Sequence, residues 1–238
     1  MIGSWQAAVQ AVVHHPLFGV GLTLAVYQVA LAAYERTRWV ILQPVLVSML
    51  MVIGVLLICG LDYPEYRSST TPLSLLLGPA TVALAVPLYL NLKRIRQLFW
   101  PVLITLALGG VIATVLGMAL AWVFGADRVM LMTMAPKSVT SPIAMLVAEQ
   151  IGGVAELAAV FVMITGVLGG MIGVESLRRI GVHHPAAQGM ALGMTAHAVG
   201  TARALQDSEE SGAFAALAMS LMGAGTAVLL PLAVALLT

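Results

Sequence analysis

Eight apolar segments follow one another along the chain, each near the length needed to cross about 30 Å of hydrocarbon as a helix. A bilayer offers no water to unpaired backbone groups, so such segments must fold as helices. Only 9% of the 238 residues are charged and 61% are apolar, whereas soluble domains carry about 25% charged residues. The sequence therefore predicts an all-α polytopic membrane protein. The segments lie near residues 17–34, 40–60, 72–91, 99–124, 130–149, 155–174, 186–204 and 212–237.

The fifth segment is interrupted at residues 135–142, Ala-Pro-Lys-Ser-Val-Thr-Ser-Pro. A lysine at mid-bilayer costs roughly 2.5–3.5 kcal/mol, whereas a leucine-class residue returns only about 0.3–0.6 kcal/mol. The apolar arms on either side are too short to offset that cost against lipid. We therefore expect the interruption to lie inside the protein beside a polar cavity, with the helix broken by the prolines. Many transporters build their substrate site from broken helices.

Lysine and arginine cluster in three short loops, and the positive-inside tendency places all three in the cytoplasm. The loops contain Arg36 and Arg38; Lys93, Arg94 and Arg96; and Arg178 and Arg179. If the fifth and sixth segments both crossed fully, the third loop would lie outside. A fifth segment that enters and returns to the same side keeps that loop inside. We therefore expect about seven transmembrane helices plus a broken or re-entrant segment, in a single domain over residues 1–238.

A short internal match suggests an inverted repeat. Gly78-Pro-Ala-Thr-Val82 aligns with Ala135-Pro-Lys-Ser-Val139 at an offset of 57, and Gly109 meets Gly166 at the same offset. With a re-entrant fifth segment, the spans at 99–124 and 155–174 run antiparallel, as an inverted repeat requires. A true repeat would also give the third and fifth segments one geometry, whereas the loop charges suggest two. The repeat is therefore a hypothesis.

Lys137 is the first candidate binding residue. A fixed cation beside the N-termini of half-helices is suited to holding a small carboxylate. The candidate hydroxyl donors around it are Thr81, Ser138, Thr140 and Ser141. Helix breaks are expected at Pro79, Pro87, Pro136 and Pro142. The alternative is a lysine in a shallow position that snorkels towards the headgroups, and its place between two prolines counts against that interpretation.

The seventh segment places small residues and one histidine on a single helical face. Gly189, Gly193, His197 and Gly200 follow at spacings of four, four and three, so another backbone can approach closely there. Thr201 is a further candidate donor to substrate. The imidazole of His197 is a candidate proton carrier or hydrogen-bond donor. The alternative is a packed histidine that bonds a neighbouring carbonyl.

Two charged residues lie at the ends of these polar segments. The planar guanidinium of Arg203 suits bidentate recognition of a carboxylate, or it pairs with Asp207 four residues on. Glu149 is a candidate for taking up and releasing a coupling proton. The alternative is that Glu149 and Gln150 only mark the loop that follows. Glu156 is interpreted as a solvated residue at the start of a span.

Other classes of function lack support in the sequence. The net charge of +1 predicts no nucleic-acid partner. Two His-His-Pro runs, at 14–16 and 183–185, have no acidic or cysteine partners at ligand spacing, so no metal site is expected. The glycines at 109–117 and 166–173 are interpreted as packing surfaces, and no cofactor is expected. An intramembrane enzyme built on His197 and Glu149 would lack a nucleophile, so the chain is not expected to be an enzyme.

Three motifs together resemble the LrgB/CidB family, and the resemblance covers nearly the whole chain. They are Leu77-Gly-Pro-Ala-Thr-Val-Ala-Leu-Ala-Val-Pro87; Ala135-Pro-Lys-Ser-Val-Thr-Ser-Pro-Ile-Ala144 through Glu149-Gln-Ile-Gly-Gly153; and His197-Ala-Val-Gly-Thr-Ala-Arg-Ala204, followed by Glu209 and Gly212-Ala-Phe214. The chain departs from the family pattern at Gln206 and Ser211, where an acidic residue is common.

The resemblance implies a multi-pass protein of the bacterial inner membrane, antiholin-like or regulating murein hydrolases, that works with a smaller LrgA/CidA-type membrane protein. A homo-oligomer such as a dimer is also expected. Relatives are similar to the plastid glycolate/glycerate translocator, and some are linked to pyruvate. The leading hypothesis is a secondary transporter of small monocarboxylates (glycolate, glycerate, pyruvate or lactate) with its site at the breaks around 78–87 and 135–142. The alternative is an antiholin-like pore regulator controlling murein hydrolase activity and lysis.

Overall fold

The computed structural model describes residues 10–37, 39 and 42–237, without the side chains at 77, 81 and 237; Arg38 and the side chain of Thr81 therefore lie outside the described part. All the elements whose bounds are described are α-helices, which confirms the predicted fold class. The helices are α1 (Phe18–Thr37), α2 (Pro44–Cys59), α3 (Tyr63–Ser69), α4 (Thr71–Leu75), α5 (Leu77–Ala83), α6 (Ala85–Leu90), α7 (Leu92–Gln97), α8 (Phe99–Val123), α9 (Arg128–Met134), α10 (Ser141–Gln150), α11 (Ala155–Arg179), α12 (Pro185–Asp207) and α13 (Glu209–Leu237). Contacts divide the chain into two compact units, Met1–Ala83 and Leu84–Thr238. Each unit is described by itself.

In the first unit, α1 packs beside α2 and is linked to α3 by a side-chain hydrogen bond. The hydroxyls of Thr23 and Tyr66 are 2.8 Å apart. The amide of Leu46 donates to Oε1 of Gln43 (2.7 Å), which caps the start of α2. The axes of α2 and α3 differ by 119°, so the chain turns sharply between them.

Prolines set the ends of three of the four short helices that follow. The last residues of α4, α5 and α7 are Leu75, Ala83 and Gln97, and a proline follows each of them four positions later. A proline has no N–H for the carbonyl four residues before it, and its ring crowds that carbonyl. The run Thr71–Leu90 is nevertheless long and apolar enough to be a membrane span.

Five helical runs of the described part are long and apolar enough to cross a bilayer: α1, Thr71–Leu90, α8, α11 and α13. The bent pair α2–α3 would make a sixth. The fifth and seventh apolar segments are not among these spans. Both fold as hairpins, which explains why the number of full spans is lower than the seven expected from segment length.

The fifth segment forms hairpin 1, residues 128–150, built from α9, a tip at 135–140, and α10. The amide of Val154 donates to Oγ1 of Thr133 at 2.9 Å. A Cβ on Gly153 would lie 2.7 Å from the Thr133 amide nitrogen. The chain that leaves at Thr133 therefore returns to the same place after α10, so α10 runs back alongside the preceding arm. This is the geometry that a re-entrant segment requires.

The seventh segment forms hairpin 2, residues 185–207, which reverses at His197. A Cβ on Gly200 would lie 2.5 Å from the carbonyl oxygen of Leu192, whereas eight residues of straight helix span about 12 Å. His197 has φ 42° and ψ −127°, outside the helical region. The expectation that Gly189, Gly193 and Gly200 share one straight helical face is therefore wrong: Gly200 packs on the other arm of its own hairpin.

The two hairpins open towards opposite ends of the second unit. At one end, Arg94 lies 3.2 Å from His184 and 3.5 Å from Glu210, and Arg178 lies 3.4 Å from Asp207. These residues belong to the two basic loops and to the open end of hairpin 2. Helix α8 leads away from this end to hairpin 1, and α11 returns. Both basic loops thus share one side, as the loop charges predict, and the positive-inside tendency predicts that this is the cytoplasmic side.

An inverted repeat relates these elements. One copy is α8 followed by hairpin 1, and the other is α11 followed by hairpin 2, running in the opposite direction. The hairpins begin at 128 and 185 and end at 150 and 207, an offset of 57 at both ends. The match of Gly109 with Gly166 belongs to this repeat. The match of 78–82 with 135–139 has no structural counterpart, because the first stretch is helical and the second forms turns.

Candidate anion site at the hairpin tips

The tip of hairpin 1 is made of turns that hold Lys137. Helix α9 ends at Met134 and the buried Pro136 follows, so the helix does not continue. The amide of Lys137 donates to the carbonyl of Met134 (3.0 Å), and that of Val139 to the carbonyl of Pro136 (3.3 Å). Pro142 stands in the first turn of α10, where its missing N–H costs nothing. The two prolines thus bound the turns that carry the lysine.

The ammonium group of Lys137 lies near the middle of a membrane-length helix. Its Nζ donates to the carbonyl oxygen of Ala113 in α8 at 3.4 Å and to Oγ of Ser138 at 3.2 Å. Ala113 is 14 residues from the start of α8 and 10 from its end, which is roughly 21 and 15 Å at 1.5 Å per residue. Gly117 makes room for the lysine, because a Cβ there would lie 2.6 Å from its Cε. The snorkelling alternative does not fit this depth.

No carboxylate neutralises this cation within the described part of the chain. Its Nζ makes no salt bridge to any aspartate or glutamate there, and two neutral oxygens are its partners. A lysine ammonium has three protons to donate, so one stays available. Ser138 is buried, and Thr140 and Ser141 are half-buried at the start of α10. The hydroxyl of Thr140 does not cap α10. The tip therefore offers one cation, unused donors and a helix N-terminus together.

The tip of hairpin 2 is fixed by His197. His197 is 3% exposed, and Nε2 of its imidazole lies 2.9 Å from the carbonyl oxygen of Val162 in α11. A carbonyl only accepts, so Nε2 carries the proton. The positive φ of 42° is strained for a residue with a Cβ, at a cost of about 1–3 kcal/mol. Gly166 lets the ring approach, because a Cβ there would lie 2.6 Å from Cε1 of the imidazole.

Both tips rest on the same part of α11. Val162, whose carbonyl accepts from His197, belongs to a buried cluster with Val139 and Ala144 of hairpin 1. Val162 of α11 thus contacts the tip of hairpin 2 and also belongs to the buried cluster against which hairpin 1 packs. A displacement of either tip must therefore disturb the contacts at Val162.

Thr201 and Arg203 have structural partners inside the cytoplasmic half. The hydroxyl of Thr201 donates to the carbonyl of His197 at 2.8 Å, so this hydrogen bond lies within hairpin 2 itself. The guanidinium of Arg203 pairs with Asp207 at 2.8 Å and with Glu175 at 3.5 Å. Glu175 lies 13 residues beyond Val162 in α11, roughly 20 Å. The structure therefore does not bring Arg203 to the tips; the ion pair, which was the alternative, is what forms.

Other predicted residues lie away from the tips. Glu149, Gln150 and Glu156 are exposed near the open end of hairpin 1, so Glu149 faces the side opposite to the basic loops. Pro79 belongs to the first unit, and Pro87 lies in α6 of the second. Among the described residues no group of three or more histidine, cysteine, aspartate or glutamate side chains is placed to hold a metal ion.

Sequence reasoning missed three residues that shape the tips. Gly117 and Ala113 of α8 receive the lysine, and Val162 of α11 receives the histidine. The glycine pattern of α8 and α11 was visible and indicates close packing, but it does not say which side chain fills the space. The carbonyl of Val162 carries no sequence signal at all.

Comparison with known proteins gives the family. The profile of the LrgB-like family matches residues 23–236. The chain belongs to the LrgB-like family. A holin-like protein CidB of Staphylococcus epidermidis is 32% identical over 215 residues, which cover 90% of this chain and 94% of that protein. An antiholin-like protein LrgB of Bacillus mycoides is 28% identical, covering 91% and 95%. An uncharacterized protein of Haemophilus influenzae is 31% identical, covering 88% and 91%.

The LrgB-like match includes both hairpins and both tips. The relatives are bacterial, and five or six candidate spans are present in the described part, so the chain is a bacterial multi-pass membrane protein. No solved structure matches it.

Proposed function

We propose that this LrgB-like chain is a secondary transporter of small monocarboxylates, 2-hydroxy or 2-oxo acids of the size of glycolate or pyruvate. The observation that carries the proposal is Lys137, a cation near mid-membrane without a neutralising carboxylate in the described part of the chain. Holding such a charge in place costs free energy. A bound carboxylate would supply the missing counter-charge.

A carboxylate fits the donors of the hairpin 1 tip. One oxygen would accept from Nζ of Lys137 in a charge-assisted hydrogen bond. The other would accept from the hydroxyls of Ser138, Thr140 or Ser141, with the positive end of α10 favouring the negative charge. Thr81 remains a predicted further donor. Arg203 is left out of the proposed site, because its guanidinium pairs with two carboxylates.

The opposed hairpins supply two routes to that site. Hairpin 1 opens to one side and hairpin 2 to the other, and both tips rest at Val162. Movement of one tip at a time would expose the site to one side at a time, which is alternating access. His197 at one tip and Glu149 at an open end are the proposed carriers of a coupling proton. No chemical transformation is assigned to the chain.

Uptake by proteoliposomes tests transport directly. The purified chain is reconstituted with an imposed proton gradient, and entry of labelled pyruvate and glycolate is measured against empty vesicles and against Lys137→Met. Uptake that depends on Lys137 supports the proposal. If neither acid moves, even with an LrgA/CidA-type protein co-reconstituted, transport of small monocarboxylates is refuted.

A second function is regulation of a pore that controls murein hydrolase activity and lysis. The names of the relatives, holin-like CidB and antiholin-like LrgB, support it more directly than they support transport. An LrgA/CidA-type protein and a second copy of this chain are the proposed partners. Leakage of solutes of unrelated size and charge from the same vesicles, independent of Lys137, would favour this function over the first.

A further inference from the structure

A cavity lies at the end of the second unit that carries the basic loops, away from the hairpin tips. Its volume is about 310 Å³, at the lower end of the range for ligand pockets, about 300–1,000 Å³. It lies between the first turns of α8, the first arm of hairpin 2 and Phe214 of α13. Its wall is almost entirely apolar, and His184 stands among its lining residues. The floor, which includes Val102 and Met190, is buried, whereas Pro101, Thr105 and Ala187 at its edge are exposed.

Two hydrogen-bond donors face each other where this cavity meets the basic loop. The amide of Ala186 donates to Nδ1 of His184 at 3.2 Å, so Nδ1 is unprotonated and a neutral ring carries its proton on Nε2. That Nε2 lies 3.2 Å from Nη2 of Arg94, and a guanidinium only donates. The two N–H groups thus lack a shared acceptor. An anionic oxygen about 2.9 Å from each nitrogen would satisfy both.

The charges around this point favour an anion. Arg94 gives its Nε edge to Glu210 at 3.5 Å, which leaves the Nη2 edge towards His184. Lys93 and Arg96 are exposed on the same short helix α7. The net charge of Lys93, Arg94, Arg96 and Glu210 together is therefore positive. This cluster lies at the end that the positive-inside tendency places in the cytoplasm.

We propose that this cavity binds an anionic phospholipid, with a phosphate oxygen between Arg94 and His184 and an acyl chain along Pro101 and Ala187, above the buried Met190. An apolar cavity with a cationic mouth matches a ligand with an apolar body and an anionic head. A small soluble acid would leave the apolar wall uncovered. Basic pockets between spans on the cytoplasmic side are suited to anionic headgroups. The proposal does not depend on what the hairpin tips transport.

Lipid-specific thermal stabilisation of the purified full chain tests the proposal. Phosphatidylglycerol is compared with phosphatidylcholine of the same acyl chains and with inorganic phosphate. At about 100-fold above the dissociation constant, phosphatidylglycerol is expected to raise Tm by about 5–10 °C. Arg94→Gln should weaken that lipid's binding about tenfold or more. His184→Gln is the second variant if Arg94→Gln does not fold.

Matched variants separate the headgroup from the chain. Arg128→Gln removes an equal charge from an exposed residue at the opposite end and should change nothing. Ala187→Phe fills the cavity from its exposed edge and should weaken phosphatidylglycerol binding, whereas Ala202→Phe on an exposed position of the other arm should not. Equal stabilisation by phosphatidylcholine, equal protection by phosphate alone, or unchanged binding in both headgroup variants would overturn the proposal. Failure of the monocarboxylate transport experiment alone would not contradict the lipid-binding proposal.

Discussion

Replacing Lys137 by methionine separates the charge of this side chain from its packing. Methionine keeps an unbranched chain of similar length against Gly117, where a Cβ would lie 2.6 Å from the lysine Cε. It removes the ammonium and with it the hydrogen bonds to Ala113 and Ser138. The change therefore tests the charge with little disturbance of the hairpin.

The magnitudes predict opposite effects on folding and on binding. A central lysine costs roughly 2.5–3.5 kcal/mol to insert, so Lys137→Met should fold and insert at least as well as the parent. A hydrogen bond to a charged group contributes about 1.5–3 kcal/mol, which corresponds to about 10–150-fold in affinity. We therefore expect the dissociation constant for pyruvate or glycolate to rise by that factor while Tm stays or increases.

Titration calorimetry on the purified protein measures the affinity, and thermal unfolding measures stability. Lys93→Met is the control, because it removes the same charge from an exposed loop. If the affinity in Lys137→Met equals that of the parent and of the control, Lys137 does not bind the carboxylate. If Lys137→Met fails to insert, the lysine stabilises the folded protein, and the reasoning from its insertion cost is wrong.

Three further variants test the tips and the ion pair. Gly117→Ala should displace the flexible end of Lys137 and lower the affinity for pyruvate several-fold at unchanged Tm. The control Gly225→Ala, where a Cβ would have nothing within 4 Å, should change neither quantity. Equal affinities of the two variants would contradict the contact between Gly117 and Lys137. His197→Gly should be more stable than His197→Ala by about 1 kcal/mol or more, because φ is 42°; a more stable alanine variant in thermal unfolding would disprove the strain. Arg203→Gln should lower the free energy of unfolding by about 1–3 kcal/mol and leave pyruvate affinity unchanged; weaker binding measured by calorimetry would return Arg203 to the site.

Hairpin 1 was predictable because its sequence carries the reasons for its shape. Pro136 and Pro142 interrupt the helix, and the intervening lysine cannot face lipid. The basic residues Arg178 and Arg179 then require the chain to return to the side it came from. Composition, proline chemistry and loop charge thus pointed to one geometry, and the structure has it.

Hairpin 2 was not predictable on the same grounds. No proline stands between Pro185 and Asp207, and its glycines and histidine suit a straight helix equally well. The reversal depends on contacts made elsewhere: the Val162 carbonyl bonds the imidazole of His197, and Gly200 packs on Leu192. Such tertiary contacts hold a strained residue that no local propensity favours.

The two half-buried cations of the second unit show why the hairpin tip is the better candidate site. Arg203 has two carboxylate partners, Asp207 and Glu175, and its side chain is 10% exposed. A cation that only holds helices together is expected to be neutralised in this way, because an uncompensated buried charge is costly. Among the described residues the partners of Lys137 are neutral oxygens instead, at a depth where an unneutralised charge costs more. We propose that a bound carboxylate supplies the counter-charge that the described residues do not provide.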